Sequence, residues 1–327
     1  MIKTPATFTP EPAFARRTFL QASATVTALM GCGNVATAQA GKTGPAAAGN
    51  KAKRSGFHLK YAPHFGQFKE HAGEDPIAQL KFMADQGFTA VEDNGLMGRP
   101  VDVQEKIGKE LQRLGMTMGI FVLNFDTGFK TSLTSGDAAL RDKFLESTPT
   151  AVEVAKRVNA KWVTTLTGNI EPSLRMGYQE ANVIEAVRRA SDICAPSGLV
   201  MVFEPLNFRD HPNFFLTSNA QAYALMKAVN HPSAKILFDL YHTQINEGEI
   251  INNFDHCFDE IGYIQTGDTP GRKEPGTGEV NYRNVFKHIY DKGYRGILGM
   301  EHGSSIKGKE GEKALIESYR NADNFAV

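Results

Sequence analysis

The chain has 327 residues with 36 Lys plus Arg against 36 Asp plus Glu, and it is 41% apolar and 22% charged. The absence of a charge excess removes the electrostatic footprint of a nucleic-acid or anionic-membrane binder, while the apolar share is enough for a large core beneath a polar surface. Cys32, Cys194 and Cys257 are far apart and include no CxxC pair, which argues against a thiolate zinc site or a disulfide scaffold.

Residues 1–40 differ from the rest. Ala15-Arg16-Arg17-Thr18-Phe19-Leu20-Gln21 has the form of a twin-arginine export signal, and a mild apolar run from Ala22 to Met30 and Ala38-Gln39-Ala40 follow it. The run is far short of the ~20 apolar residues that cross a bilayer, so it reads as an address for the twin-arginine export machinery and not as a transmembrane segment. Cleavage after Ala40 would give a soluble periplasmic or secreted protein; lipid attachment at Cys32 is the competing outcome. Residues 41–54, rich in Gly, Ala and Lys, read as a flexible linker, and residues 55–327 as one folded domain. Cys194 and Cys257, the thiols left in it, read as small buried residues.

Short apolar runs then recur with helix-like stretches between them. Strands are expected at Phe57 to Ala62, Ala90 to Glu92, Thr117 to Leu123, Trp162 to Leu166, Leu199 to Glu204, Lys235 to Leu240, Gly262 to Thr266 and Gly296 to Glu301. Asp75-Pro76 looks like a helix N-cap followed by Pro at the first helical position, and Ser218 with Gln221 has capping-box spacing. Gly87, Gly115, Gly198 and Gly293 fall where helices should stop before the next strand. Eight alternating βα units predict a single (β/α)8 TIM barrel. A doubly wound open sheet is the rival, but no GxGxxG follows the first strand.

In such a barrel the chemistry sits at the C-terminal ends of the strands. The last four strands each deliver an oxygen-bearing side chain there: Glu204, Asp239, Gln265 and Glu301, each after an apolar run. Burying lone carboxylates is expensive unless something compensates them. Three carboxylates and an amide oxygen make a hard site for one divalent metal ion, Mg²⁺ or Mn²⁺ before zinc or copper. His242, three residues past Asp239, is positioned to bond a substrate oxygen, and Arg272 to meet a carboxylate or hydroxyl. His64, Glu92 and Asn124 also reach the mouth. Trp162 and the phenylalanines read as core or pocket wall, and Phe214-Phe215 as a packed loop or a cover.

The strings Glu204-Pro205-Leu206-Asn207, Arg209-Asp210, Phe238-Asp239-Leu240-Tyr241-His242-Thr243-Gln244 and Gln265-Thr266-Gly267-Asp268-Thr269-Pro270-Gly271-Arg272, continuing through Glu274-Pro275-Gly276-Thr277-Gly278-Glu279-Val280-Asn281-Tyr282, resemble the hydroxypyruvate isomerase family of xylose-isomerase-like barrels. The resemblance is densest from about residue 200 to 301. It implies an isomerase or epimerase acting through an enediolate on a small sugar or hydroxy-keto acid. Glu204, Asp239, Gln265 and Glu301 would hold the metal, Glu204 and Glu301 would be the catalytic pair, and His242, Arg272, Asn207 and His64 would bind substrate. The segments Tyr61 to Gly66 and Met300 to Ser305 depart from the cytosolic members, which leaves the substrate open. A carbohydrate-binding barrel without turnover, and a phosphodiester hydrolase of the endonuclease IV type, are the alternative readings.

Overall fold

The computed structural model describes residues 56–327. The export-signal motif, Cys32 and the linker 41–54 lie outside the described residues.

Eight strands follow in order: β1 Lys60–Ala62, β2 Ala90–Val91, β3 Thr117–Met118, β4 Trp162–Thr165, β5 Val200–Phe203, β6 Ala234–Asp239, β7 Ile261–Gln265 and β8 Ile297–Gly299. Six form a parallel sheet in the order β1-β8-β7-β6-β5-β4, and β2 pairs with β3, also in parallel. Single parallel bridges join the two sets, His64 with Glu92 between β1 and β2, and Val122 with Thr164 between β3 and β4. The ring is thereby closed, and the chain is a TIM barrel.

All eight strands fall where expected; six are shorter than expected, and β6 and β7 keep their length but begin one residue earlier. The largest difference is β3, expected to run from Thr117 to Leu123 and paired only at Thr117–Met118. At Gly119 a Cβ would stand 2.3 Å from the Tyr263 hydroxyl and 3.1 Å from Glu92 Cγ, so the backbone passes close against side chains filling the barrel. Past Met118 the chain still bonds to β2, Gly119 N to Val91 O at 2.7 Å, and is bridged to β4 at Val122.

Local chemistry sets the helices. Asp75 accepts from Ile77 N at 3.2 Å with Pro76 at the first helical position, and Ser218 accepts from Gln221 N at 3.1 Å, as their spacing predicts. Gly115 and Gly198 close helical segments in the left-handed conformation, at φ 64 and 71. Apolar helix faces pack on the outside of the ring, with Ile107, Leu111, Val187, Phe286 and Leu315 among the fully covered side chains. Inside it, Ala62, Ala90, Ile120, Val202, Leu237, Tyr263 and Ile297 form a separate small core that plugs the barrel beneath its mouth. Cys194 and Cys257 are free and buried. Phe214 and Phe215 are each 1% exposed and belong to a packed loop.

Candidate active site

Each of the last four strands carries a polar side chain at or just beyond its end, toward the mouth. On β5 the break is Glu204-Pro205: proline cannot donate to the ladder and holds Glu204 extended. On β6 it is a helix start. Asp239 caps helix Leu240–Asn246, its Oδ1 accepting from Tyr241 N at 2.6 Å and His242 N at 3.1 Å. That leaves Oδ2 turned away from the helix and buried without a hydrogen-bond partner. Gln265, the last residue of β7, pairs in register with Asp239, so the two stand at the same depth. Two residues past β8 comes Glu301, the most open of the four.

Ligand-capable atoms of Glu204, Asp239, His242 and Glu301 all lie within 4.8 Å of one another, a cluster able to hold a metal ion. Gln265 lines the same cavity as Glu204, His242 and Glu301. Burial, reinforced by the charges of Glu301 and Asp239, pushes the Glu204 carboxyl well above its ordinary range. Burial also raises Asp239, against the pull of Arg272. Arg272 answers part of this charge: its Nη2 lies 2.6 Å from Glu301 Oε2 and 3.7 Å from Asp239 Oδ2. Burial works against the guanidinium, but Glu301, Asp239 and Glu204 outweigh it and raise its pKa. Three carboxylates thus face one guanidinium, and the cluster keeps an excess of negative charge.

Arg272 arrives there on a loop built around one buried carboxylate. Asp268 accepts from the backbone amides of Thr269, Gly276, Gly278 and Val280 at 2.8 to 3.2 Å. The turn between them places Arg272 at φ 50, with its guanidinium 4.9 Å from the centre of the Tyr241 ring. The string that carried the family resemblance is therefore the arm that delivers this arginine.

His242 is 1% exposed, and its Nδ1 accepts from the Asn207 backbone amide at 3.0 Å. Burial, with Arg272 beside it, pushes its pKa down to about 3. Nε2 faces the cluster, 3.5 Å from Glu204 Oε1 and 3.3 Å from the donor Nη2 of Arg272. Asn207 itself was expected to touch substrate. The structure instead sets it behind His242, fully buried, with its amide spent on His242, Asp210 and the local turn, and not among the residues lining the cavity. His64 is turned to Glu92, Nε2 to Oε2 at 2.5 Å, and borders an outer hollow shared with Asn94, Arg272 and Glu301. Asn124 is a strand clamp, exchanging hydrogen bonds with the backbone of Leu166.

The cavity has a volume of about 200 Å³. Its wall includes residues not anticipated from the sequence. Asn94 donates to Glu301 Oε1 at 3.1 Å. His211 stacks on Phe129, with ring centres 5.2 Å apart at 15°, and Phe125 stands at the opening, 60% exposed. These sit on loops beyond the expected strand ends, where periodicity carries no signal.

A parallel closed barrel with acidic side chains gathered at its C-terminal rim defines a class, and comparison with known proteins agrees: the chain belongs to the xylose isomerase-like TIM barrel family, which matches residues 80–322. Within that class its relatives are named as isomerases. It is 34% identical over 161 residues to the hydroxypyruvate isomerase of Escherichia coli strain K12, covering 49% of this chain and 62% of that protein, so the match spans less than two thirds of that relative. It is 28% identical over 238 residues to the 2-oxo-tetronate isomerase of Pectobacterium atrosepticum, covering 72% of this chain and 89% of that protein. Among solved structures it is similar to an AP endonuclease, family 2, from Brucella melitensis, with a TM-score of 0.69, 27% identity, and coverage of 77% of this chain and 96% of that one.

Proposed function

We propose that the chain is an isomerase that moves a carbonyl to the neighbouring carbon, or inverts a centre beside one, on a small 2-oxo acid or ketose, assisted by one divalent cation. The observation that carries this reading is a set of buried oxygens without partners: Glu204 Oε1, Asp239 Oδ2 and Gln265 Oε1, on three successive strands. Buried acceptors are seldom left unbonded, and an excess of negative charge at the same point fits Mg²⁺ or Mn²⁺. Glu204, Asp239, Gln265 and Glu301 are the residues that would hold it. When bound, such an ion polarises a carbonyl oxygen and stabilises negative charge developing on it.

The remaining work falls to side chains. Glu204 and Glu301 come from strands well separated around the ring and both border the cavity. One accepts the carbon-bound proton and the other returns it, an acid–base contribution of about 10²–10⁴ in rate. His242 bonds a substrate oxygen, and the Arg272 fork takes a carboxylate or hydroxyl. The apolar wall of Ile120, Val122 and Leu166 excludes water around the proton being moved. A volume of about 200 Å³ is below the usual range for drug-sized ligands, which suits three- or four-carbon acids and agrees with the names of the relatives. DNA chemistry, suggested by the name of the Brucella structure, finds little support in a chain with zero formal net charge and one metal-capable cluster among the described residues. The Arg16-Arg17 motif would route the enzyme through twin-arginine export, as a soluble or Cys32-anchored protein.

The test is proton exchange in D₂O with added Mn²⁺ and a panel of 2-oxo acids and ketoses. Deuterium should enter beside the carbonyl, and Glu204→Gln, Glu301→Gln or chelation should each slow this by about 10²-fold or more. Undiminished exchange in both variants would refute the assigned roles, and tight binding without exchange across the panel would mark a binding barrel instead.

A further inference from the structure

Gln265 is the one neutral member of the proposed cation set, and its amide has two ends of nearly the same shape. Turned one way it offers an oxygen to a cation. Turned the other way it offers an NH₂ group, which would hydrogen-bond Glu204 or Asp239 and repel the cation. In a site without a cation the second orientation is the one the carboxylates favour, since buried acceptors seek donors. The sequence of Gln265 alone does not decide between them, and a partner on its far side must.

That partner is Glu92. Gln265 Nε2 donates to Glu92 Oε2 at 3.2 Å, with both side chains buried, and Gln265 Oε1 is left unpartnered within the cavity wall. Glu92 is itself tightly housed. It has no exposed surface, and His64 Nε2 stands 2.5 Å from the same Oε2. Two neighbouring positions have no side chain: a Cβ at Gly299 would lie 1.9 Å from Glu92 Oε1, and one at Gly119 3.1 Å from Glu92 Cγ. The barrel wall is hollowed on two strands to seat a carboxylate in its interior, where an apolar side chain would be cheaper to bury.

We propose that Glu92 is a positioning residue that locks the Gln265 amide with its oxygen toward the cation site, with His64 and the glycine-lined niche holding Glu92 in turn. Partners behind metal ligands commonly change metal affinity by about 10–100-fold when removed. The proposal rests on the cation reading above.

A reciprocal exchange tests it, read as Mn²⁺ affinity by calorimetric titration of the metal-stripped full chain without substrate. Gln265→Glu alone sets two carboxylates against each other and should weaken binding by at least about 10-fold. Glu92→Gln combined with Gln265→Glu restores a donor at one position and an acceptor at the other, and should recover most of the wild-type affinity. A double variant no better than Gln265→Glu alone would overturn the positioning role while leaving the cation site standing. A wild-type chain that binds no Mn²⁺ would overturn both. Should Gln265→Glu not fold, Glu92→Leu decides: it frees the amide to turn, so Mn²⁺ affinity should drop about 10-fold or more while the thermal midpoint of the metal-free protein does not fall in proportion. Unchanged affinity in Glu92→Leu would sink the idea.

Discussion

The imidazole of His242 sits among three carboxylates, and its geometry counts it among the groups able to touch a metal ion. The backbone amide of Asn207 points to a different role. It donates to Nδ1 at 3.0 Å while Arg272 Nη2 stands 3.3 Å from Nε2, so protein groups already engage both ring nitrogens. His242→Phe should therefore lower kcat/KM by about 10²-fold, the usual scale for a lost transition-state hydrogen bond. Mn²⁺ affinity should stay within a few-fold of wild type. A loss of Mn²⁺ affinity comparable to that of Asp239→Asn would instead make the imidazole a ligand. Residues of this kind were only partly legible in the sequence. Glu204, Asp239, Gln265 and Glu301 announced themselves because a polar side chain directly follows an apolar run. Asn207 did not reveal that its amide is consumed behind His242, nor His64 that it is pledged to Glu92, because both depend on contacts between separate strands.

Among the elements, the loop from Gly267 to Asn281 has the least regular structure and the most specific sequence. The Asp268 carboxylate takes four of its backbone amides, beside backbone bonds from Asp268 N to Lys273 O and Glu279 N to Thr269 O, while the Tyr282 hydroxyl donates to Gly267 O at 2.7 Å. Asp268→Asn preserves the volume but turns an NH₂ group toward amides that need an acceptor. Each buried donor left unpaired costs about 1–3 kcal/mol. The variant should melt several degrees lower and be nicked faster by trypsin after Arg272 or Lys273, with a higher KM as Arg272 loses its bearing. Unchanged melting and unchanged cleavage would show that the loop holds itself without Asp268. Strand positions were readable because short apolar runs and flanking turn signals are local. The end of β3 was not, since beyond Met118 its pairing passes from β2, through Gly119 N to Val91 O, to a single bridge with β4 at Val122. The loop's family resemblance was equally visible, but its mechanical purpose, aiming Arg272 between Glu301 and Asp239, required the fold.

At the scale of the molecule, closure of the ring depends on thin joints, since β2 and β3 are two residues each and meet their outer neighbours through single bridges. The apolar clusters outside and inside the ring nevertheless run past those joints, so the described domain should open as one unit. Two thiols, on the helices that follow β4 and β6, report on this. Cys194 ends helix Met176–Cys194 and Cys257 ends helix Ile250–Cys257, and burial pushes each thiol up to about 12. In a Cys32→Ser chain, both should resist a thiol reagent in the native state and become reactive together along a denaturant series, at the midpoint seen by circular dichroism. The pH dependence follows from the same burial. A folded chain that holds these protons more tightly than the unfolded chain has their full contribution below about pH 8.5, the ordinary cysteine value. That contribution is lost as pH rises toward about 12, by at most about 1.4 kcal/mol per pH unit for each thiol. The denaturation midpoint should accordingly drift downward between about pH 9 and 11, and replacing both cysteines by alanine should remove the part of the drift they cause. Labelling of Cys194 well before Cys257 would show that the β4–β5 side opens on its own, and that the ring is held as two halves and not as one.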